Sequence, residues 1–588
     1  MDRTRLAIIG QFCTLMLVAA YPASGQPPRL PELFPSAPCG APRRAAPLPT
    51  QAACGRGGWS CDRLIEASCG ELRTAEGLDA QGLAVSVDSY YRATLHAARA
   101  LQASGQRGAD DQERLRQNYH RGLTGLILAG QRYGRLHPGK HLMIDGLHRQ
   151  IIPIAYHGFA WRPCDFSRLT LAEESQSKEL SRQIITCGLG LPLVAERIAA
   201  CPDEKFFRDL QTFAVTAVLR PVAPGEVDDV SGGESVLELY NPHVTTRVDW
   251  CGRQQPLARD LSAPLSAVIL ETPRQYLRGF TAPTDVAVKP KLIMTEPYQQ
   301  GKIPLVLIHG MYSDPITWAD AVNELRAQRD IYARFQIWLY RYPTGGAVLE
   351  SAAALRSDLH LARQVCDPER CDSALDAMVL VGHSLGGLVS KMQVAASENL
   401  LWNEAATQPL DRVRAGPALR QRLAQDFFFE PVPSVTRVVF IGTPHCGSNM
   451  ARRLAGRLGS SLVSYGSETR DEYVQLMDDN RDIFKPELTR SRPTSVKLME
   501  PDNPFLQAIH AMRISSRVRF HTIAGTGGWA SWGESSDGVV TLGSARLRGA
   551  TSELLVPAKH EYLHRDPVSL VELTRILREH AVEQAQLR

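Results

Sequence analysis

The sequence predicts an α/β fold for its second half, a mostly parallel sheet with helices on both faces, preceded by an α+β domain. Three observations lead there. From about residue 303 onward, short and continuously apolar strands alternate with amphipathic helices, the pattern of a parallel sheet covered on both sides. Between one such strand and the next helix stands Gly382-His383-Ser384-Leu385-Gly386-Gly387. Downstream, an aspartate and a histidine fall in loops just past strand ends, where open α/β sheets place their sites.

Length and composition bound the answer. With roughly 150 residues per domain as a guide, a chain of 588 residues predicts two to four domains. Hydrophobic residues are 44% and charged residues 22%, ordinary globular usage that excludes a mostly disordered, collagen-like or coiled-coil chain. Lys plus Arg number 66 and Asp plus Glu 62, for a net charge of +4. That is too balanced to imply an electrostatic nucleic-acid partner, and none is expected.

The N-terminus predicts export. Asp2, Arg3 and Arg5 precede the apolar run from Leu6 to Ala20, followed by Tyr21-Pro22 and the small residues Ala23-Ser24-Gly25. A charged region, an apolar core and a small-residue cleavage site make residues 1–25 a secretory signal peptide. The run of about 15 residues is shorter than the ~20 of a spanning helix. Cys39 follows Pro38 and lies too far along to be a lipidation site. A periplasmic, cell-envelope or extracellular location is expected, and peripheral contact with a membrane or the envelope is compatible with it. Cysteine usage agrees. Of 12 cysteines, Cys13 leaves with the signal, and the 11 that remain predict several disulfides and at least one unpaired thiol. Cys366 and Cys371 bracket a candidate small disulfide loop; their spacing has no second pair to make a zinc site, so no metal is expected.

Residues 26–70 read as a Pro- and Cys-rich tether, and residues 71–295 as an N-terminal α+β domain of unknown role. In that domain Tyr91, Leu95, Ala98 and Leu101 recur at helical spacing, whereas Thr212 to Leu219 reads as a strand. Residues 296–588 form the third part. Its expected strands are Leu305–Ile308, Gln336–Tyr340, Met378–Val381, Val438–Ile441, His521–Ala524 and Leu554–Val556, with a helix at Trp318–Arg326.

The chemistry concentrates in this third part. Gly382-His383-Ser384-Leu385-Gly386 has the G-x-S-x-G form on a strand–turn–helix, which is the context of a nucleophile elbow. A nucleophile on so tight a turn sits in strained backbone space, so Gly382 and Gly386 are needed for the turn to close. A serine hydroxyl needs a base, and the base an orienting acid, in the chain order Ser, Asp, His. Asp537, in Ser535-Ser536-Asp537-Gly538, is the expected acid, and His560, shortly after Leu554–Val556, the expected base. His564 competes with His560 but lies further from the strand end; it is expected to cap or pack. His521 starts a strand, the wrong end, and His445 is expected to order loops through hydrogen bonds. An oxyanion needs two N–H donors. Leu385, after the serine, supplies one; Met311, in the loop His309-Gly310-Met311-Tyr312, supplies the other, with Gly310 allowing close approach.

Together these segments resemble the α/β-hydrolase superfamily, and within it lipase-like and GPI-inositol-deacylase-like exported bacterial serine esterases. The resemblance rests on Leu305-Val306-Leu307-Ile308-His309-Gly310, on the Gly382–Gly387 run, on Ile441-Gly442-Thr443-Pro444-His445-Cys446-Gly447-Ser448, on Gln336 to Gly345 and on Ser536-Asp537-Gly538-Val539-Val540. It covers about residues 296–588 and implies Ser384, Asp537 and His560 as the triad. Relatives often carry Arg where this chain has Cys446, which removes the basis for carrying over an anion contact and makes Cys446 a candidate unpaired thiol. An insertion at about 449–510 falls where such hydrolases commonly place a lid. The expected activity is hydrolysis of a carboxylic ester, a lipid among the candidate substrates, with no cofactor. Two alternatives stay open: an acyltransferase using the same triad, and a non-catalytic envelope-binding protein on a hydrolase fold.

Overall fold

The structure, a computed structural model, describes residues 60–586 apart from 104–108, 147–148, 199–205, 207–209, 223–234, 272–275, 286–287, 450–465, 491–493 and 530–533. The expected signal peptide lies outside the described residues, as do Cys39 and Cys54. Among the described residues no helix is long and apolar enough to cross a membrane. The chain divides into two compact units, Gln26–Thr272 and Pro273–Arg588.

In the first unit three consecutive helices lead: α1 (Cys61–Ala80), α2 (Ser86–Ala103) and α3 (Ala109–Arg132). Helix α1 begins inside the expected tether. Ser60 accepts a hydrogen bond from the Arg63 N–H, and Leu64, Ser68, Leu72 and Ala75 are buried at three- and four-residue spacing. That burial makes residues 61–70 a helix rather than a linker. A mixed sheet follows: β1 (Leu136–His137), β2 (His141–Asp145), β3 (Arg149–His157), β4 (Arg168–Leu171), β5 (Leu191–Ile198), β6 (Leu210–Pro221) and β7 (Ser235–Tyr240), in the order β1-β2-β3-β7-β6-β5-β4. Only β3 and β7 pair in parallel. Helices α2 and α3 dock on it through buried tyrosines. Tyr91 Oη is 3.0 Å from Ser235 Oγ, and Tyr119 Oη donates to the Leu219 carbonyl while accepting from its N–H.

The second unit is built on another seven strands: β8 (Lys291–Met294), β9 (Ile303–Ile308), β10 (Phe335–Arg341), β11 (Met378–His383), β12 (Val435–Ile441), β13 (Arg519–Gly525) and β14 (Ser552–Val556). Their order is β8-β10-β9-β11-β12-β13-β14. The last six are parallel and β8 is an antiparallel edge. Every residue of β9 and β11 is buried, so helices cover both faces. Among them are α4 (Ala319–Ala327), α5 (Val348–Cys366), α6 (Leu385–Lys391) and the C-terminal α7 (Pro567–Gln586). Lys291–Met294, expected in the N-terminal part, instead extends this sheet: its Leu292, Ile293 and Met294 are fully buried beside β10.

Two excursions leave the strand ends. One, between β11 and β12, carries Leu400–Ala405 and Pro417–Phe427; the other, within the expected insertion, carries Ser467–Asp479, Pro486–Arg490, Ser495–Leu498 and Pro504–Ala511. They share one apolar cluster in which Trp402, Val413, Leu476, Met477, Ile483 and Phe484 are buried together. The first excursion was not anticipated, because its helices are short and no chemical motif marks them.

The expected disulfide loop does not form, and Cys366 and Cys371 are free thiols, as are Cys69, Cys164, Cys187 and Cys446. Hydrogen bonds close the turn instead. The Asp367 carboxylate accepts from the N–H groups of Cys371 and Asp372, at 3.0 and 2.7 Å, and Arg363 holds it from the helix side.

Candidate active site

The site assembles at the C-terminal ends of β9, β11, β12 and β14. Ser384 follows β11 directly, with φ +54° and ψ −123°, a conformation that non-glycine residues rarely adopt. The turn is held by the Ser384 N–H, which donates to the Ile441 carbonyl at 2.9 Å. It can close only because its neighbours lack side chains. A Cβ on Gly382 would stand 2.5 Å from the Gly386 carbonyl oxygen, and one on Gly386 2.3 Å from that of Ile308. Gly310 brings the loop after β9 alongside: a Cβ there would lie 3.0 Å from Ser384 Cβ.

His560 lies in the turn after β14. Its Nε2 is 2.9 Å from Ser384 Oγ and its Nδ1 2.7 Å from Asp537 Oδ2. Asp537 arrives by a small ribbon in which Ser535–Ser536 pairs with Gly528–Trp529, beyond the end of β13. Its other oxygen accepts from the Val539 and Val540 N–H groups at 2.9 and 2.7 Å, and its carbonyl accepts from the His560 N–H. The carboxylate is thereby aimed by the backbone before it meets the imidazole. All three side chains are buried, Ser384 at 7%, His560 at 9% and Asp537 at 2% exposure. Burial alone lowers the His560 pKa; the charge and hydrogen bond of Asp537 outweigh it, and the imidazole is held above its ordinary value. The three residues expected to act together are thus in hydrogen-bond contact.

The two expected oxyanion donors flank the serine. Leu385 opens α6, where the first N–H groups have no partner within the helix. No acceptor among the described residues takes the Leu385 or the Met311 N–H. The Gly310–Met311 peptide is oriented from its other end, since His309 Nδ1 lies 3.0 Å from the Gly310 carbonyl oxygen and donates to it. His309 is buried, its ring stacked on Tyr342, whose hydroxyl donates to the His309 carbonyl. Burial drives its pKa down to about 4, so it stays neutral.

The other histidines sort themselves by contact. His564 Nε2 meets Thr317 Oγ1 at 2.7 Å and the Thr317 carbonyl at 3.0 Å, and burial takes its pKa to about 3. It packs and bonds to the segment leading into α4. His521 is 2.7 Å from Arg437 and from Ser552, at the opposite end of the sheet. The expected role for His445 does not hold: neither ring nitrogen makes a hydrogen bond, and the ring lies edge-on to Phe440. It is the backbone N–H of His445 that ties loops, donating to the Ser544 carbonyl at 3.0 Å. His383 was missed as a contributor. Its Nε2–H donates to the His560 carbonyl at 3.0 Å, and its ring packs against those of His560 and His564. Nothing in its spacing signals this, since it occupies the variable position of the motif. Among the described residues no three His, Cys, Asp or Glu side chains gather to hold a metal.

The second unit has the α/β-hydrolase fold, and the model of the alpha/beta hydrolase family matches residues 305–542. The chain is similar to solved lipases and esterases. The mature lipase BlEst2 of Bacillus licheniformis is 17% identical, with 49% of this chain and 97% of that one covered and a TM-score of 0.30. Staphylococcus hyicus lipase is 13% identical, with 50% and 98% covered and a TM-score of 0.29. The Est2 esterase of Thermogutta terrifontis is 14% identical, with 50% and 91% covered and a TM-score of 0.27. No curated protein matches the chain.

Proposed function

We propose that the protein is a serine hydrolase that cleaves carboxylic esters. The observation that carries the reading is the continuous Ser384–His560–Asp537 contact, 2.9 and 2.7 Å long, beside two N–H groups without acceptors. Ser384 Oγ attacks the acyl carbonyl while His560 Nε2 takes its proton. Asp537 keeps the Nδ1 proton in place and stabilises the imidazolium. The Met311 and Leu385 N–H groups receive the oxyanion. His560 then protonates the leaving alkoxide, and an acyl-enzyme remains. Water, deprotonated by the same imidazole, releases the acid and restores Ser384.

We further propose that residues 1–25 direct export and that the insertion caps the site. Support for a cap is that Ser495 Oγ, within the insertion, lies 3.7 Å from Met311 Sδ, and that the Ser448 N–H donates to the Met499 carbonyl. The test of the main reading is labelling of the purified protein with a fluorophosphonate, beside Ser384→Ala and His560→Ala. Labelling confined to the wild type is expected, together with ester turnover that both substitutions reduce by at least about 10³-fold. Equal turnover by Ser384→Ala would refute it.

A further inference from the structure

The inference here rests on the esterase reading and deepens it. We propose that Phe280 and Tyr312 act as a stacked pair that positions the Met311 N–H for the oxyanion. Tyr312 directly follows Met311, and its φ is +54°. A bulky residue is sterically disfavoured there and persists only where its surroundings over-determine it. One constraint is Phe280: the two rings stack with centroids 4.0 Å apart and planes 29° from parallel.

Phe280 is itself fixed. It is 2% exposed and lies in the short helix Tyr276–Thr281, before the sheet and outside the segment that matches the family. The Gly345 N–H donates to the Gly279 carbonyl at 3.1 Å. A Cβ on Gly345 would stand 1.9 Å from the Phe280 carbonyl oxygen, so the backbone of 279–280 lies directly on the loop after β10. Thr284 Oγ1, four residues on, accepts from the Gly466 N–H at the start of Ser467–Asp479. From the other side Ser495 Oγ contacts Met311 Sδ and donates to the Thr344 carbonyl.

The turn that carries Met311 is therefore gripped at both ends. His309 holds the carbonyl of its N-terminal peptide, and the Phe280–Tyr312 stack holds the direction in which the chain leaves. A donor aimed in advance at developing charge stabilises the transition state without reorganising, so loosening the grip costs turnover and leaves ground-state binding in place.

The test uses the full chain and a soluble p-nitrophenyl ester. Phe280→Leu and Tyr312→Leu keep apolar bulk and remove one ring of the stack; Tyr312→Phe keeps it. Tyr312 is half-buried, so its variants keep the test available should Phe280→Leu fail to fold. Expected for the Leu variants is a kcat about 10- to 100-fold lower with KM within about twofold and the pH midpoint of turnover unchanged, while Tyr312→Phe recovers most of the kcat. Thermal unfolding of Tyr312→Leu close to wild type completes the expected pattern. A Tyr312→Leu enzyme with wild-type kcat, or a loss that Tyr312→Phe shares in full, would overturn the pairing alone. Absence of Ser384-dependent hydrolysis in the wild type would overturn the esterase reading, and this inference with it.

Discussion

Ser384 holds its hydroxyl on a backbone with φ +54°, and His560 reaches it at 2.9 Å without a water between them. In the proposed reaction the imidazole must be neutral to accept the serine proton, so turnover is expected to rise with pH through the His560 pKa. Burial pulls that pKa down and Asp537 pushes it up by more, which places the midpoint above the ordinary 6.5. A pH profile of kcat/KM on a neutral ester measures it, and a midpoint below that value would contradict the balance of charges. That Ser384, Asp537 and His560 come together was legible because chain order and strand–loop context point to such a set without coordinates. His309 and His383 were not. Their work is done through one hydrogen bond each to a backbone carbonyl, and neither a motif nor a period announces such a bond.

At the scale of elements, the elbow depends on how closely α6 lies against the ends of β9 and β11. A methyl group on Gly386 would meet the Ile308 and His309 carbonyl oxygens at 2.3 and 2.5 Å, and backbone at that position has no side chain to swing aside. Gly386→Ala is therefore expected to cost roughly 1–3 kcal/mol of stability and to lower kcat, because the displaced atoms lead straight into the Met311 loop. Denaturant melts and steady-state kinetics on one preparation check both, and an unchanged midpoint would show that the turn has slack. The strands of the parallel sheet were readable as continuous apolar runs. The edge strand Lys291–Met294 was not, since four residues beside Pro290 carry no alternation to recognise. Likewise, the excursion between β11 and β12 reveals its purpose only when Trp402 meets Phe484 across 82 positions of sequence, ring centroids 6.0 Å apart.

Across the whole second unit, buried neutral histidines tie stability to pH. Arg437, 1% exposed, donates to His521 Nε2 at 2.7 Å and to His580 Nδ1 at 3.1 Å, joining β12, β13 and α7. His521 gives its single proton, on Nδ1, to Ser552, and His580 gives its own, on Nε2, to the Ala377 carbonyl, so both rings are neutral and each accepts from the same guanidinium. Protonation would remove both acceptors and set charge against charge. Burial first, then Arg437, brings His521 down to about 4; burial is again the largest cause for His580, also at about 4. Above pH 6.5 these rings are neutral whether the chain is folded or not. Below it the unfolded chain takes up protons first. Stability therefore falls between about 6.5 and about 4, by on the order of 3 kcal/mol for each ring. Urea melts at a series of pH values should show the midpoint dropping across that window, less steeply in His580→Gln. A flat profile would mean that these rings are hydrated in the folded protein.

What the sequence by itself determined is the set of features carried by local order: an α/β unit of alternating strands and helices, a tight turn around Ser384, and an aspartate and a histidine in the succession that the proposed triad requires. Each is written in periodicity, in small residues beside a turn, or in position relative to a strand end, and these survive without knowledge of distant partners. Position relative to the strand end already favoured His560 over His564; the tertiary structure added the contacts that separate them, Asp537 in one case and Thr317 in the other. It also decided that Cys366 and Cys371 stay apart and that Phe280, far back along the chain, lies against the Met311 loop. Such outcomes depend on which surfaces the packed sheet brings together, and contacts over long sequence separation leave no local trace.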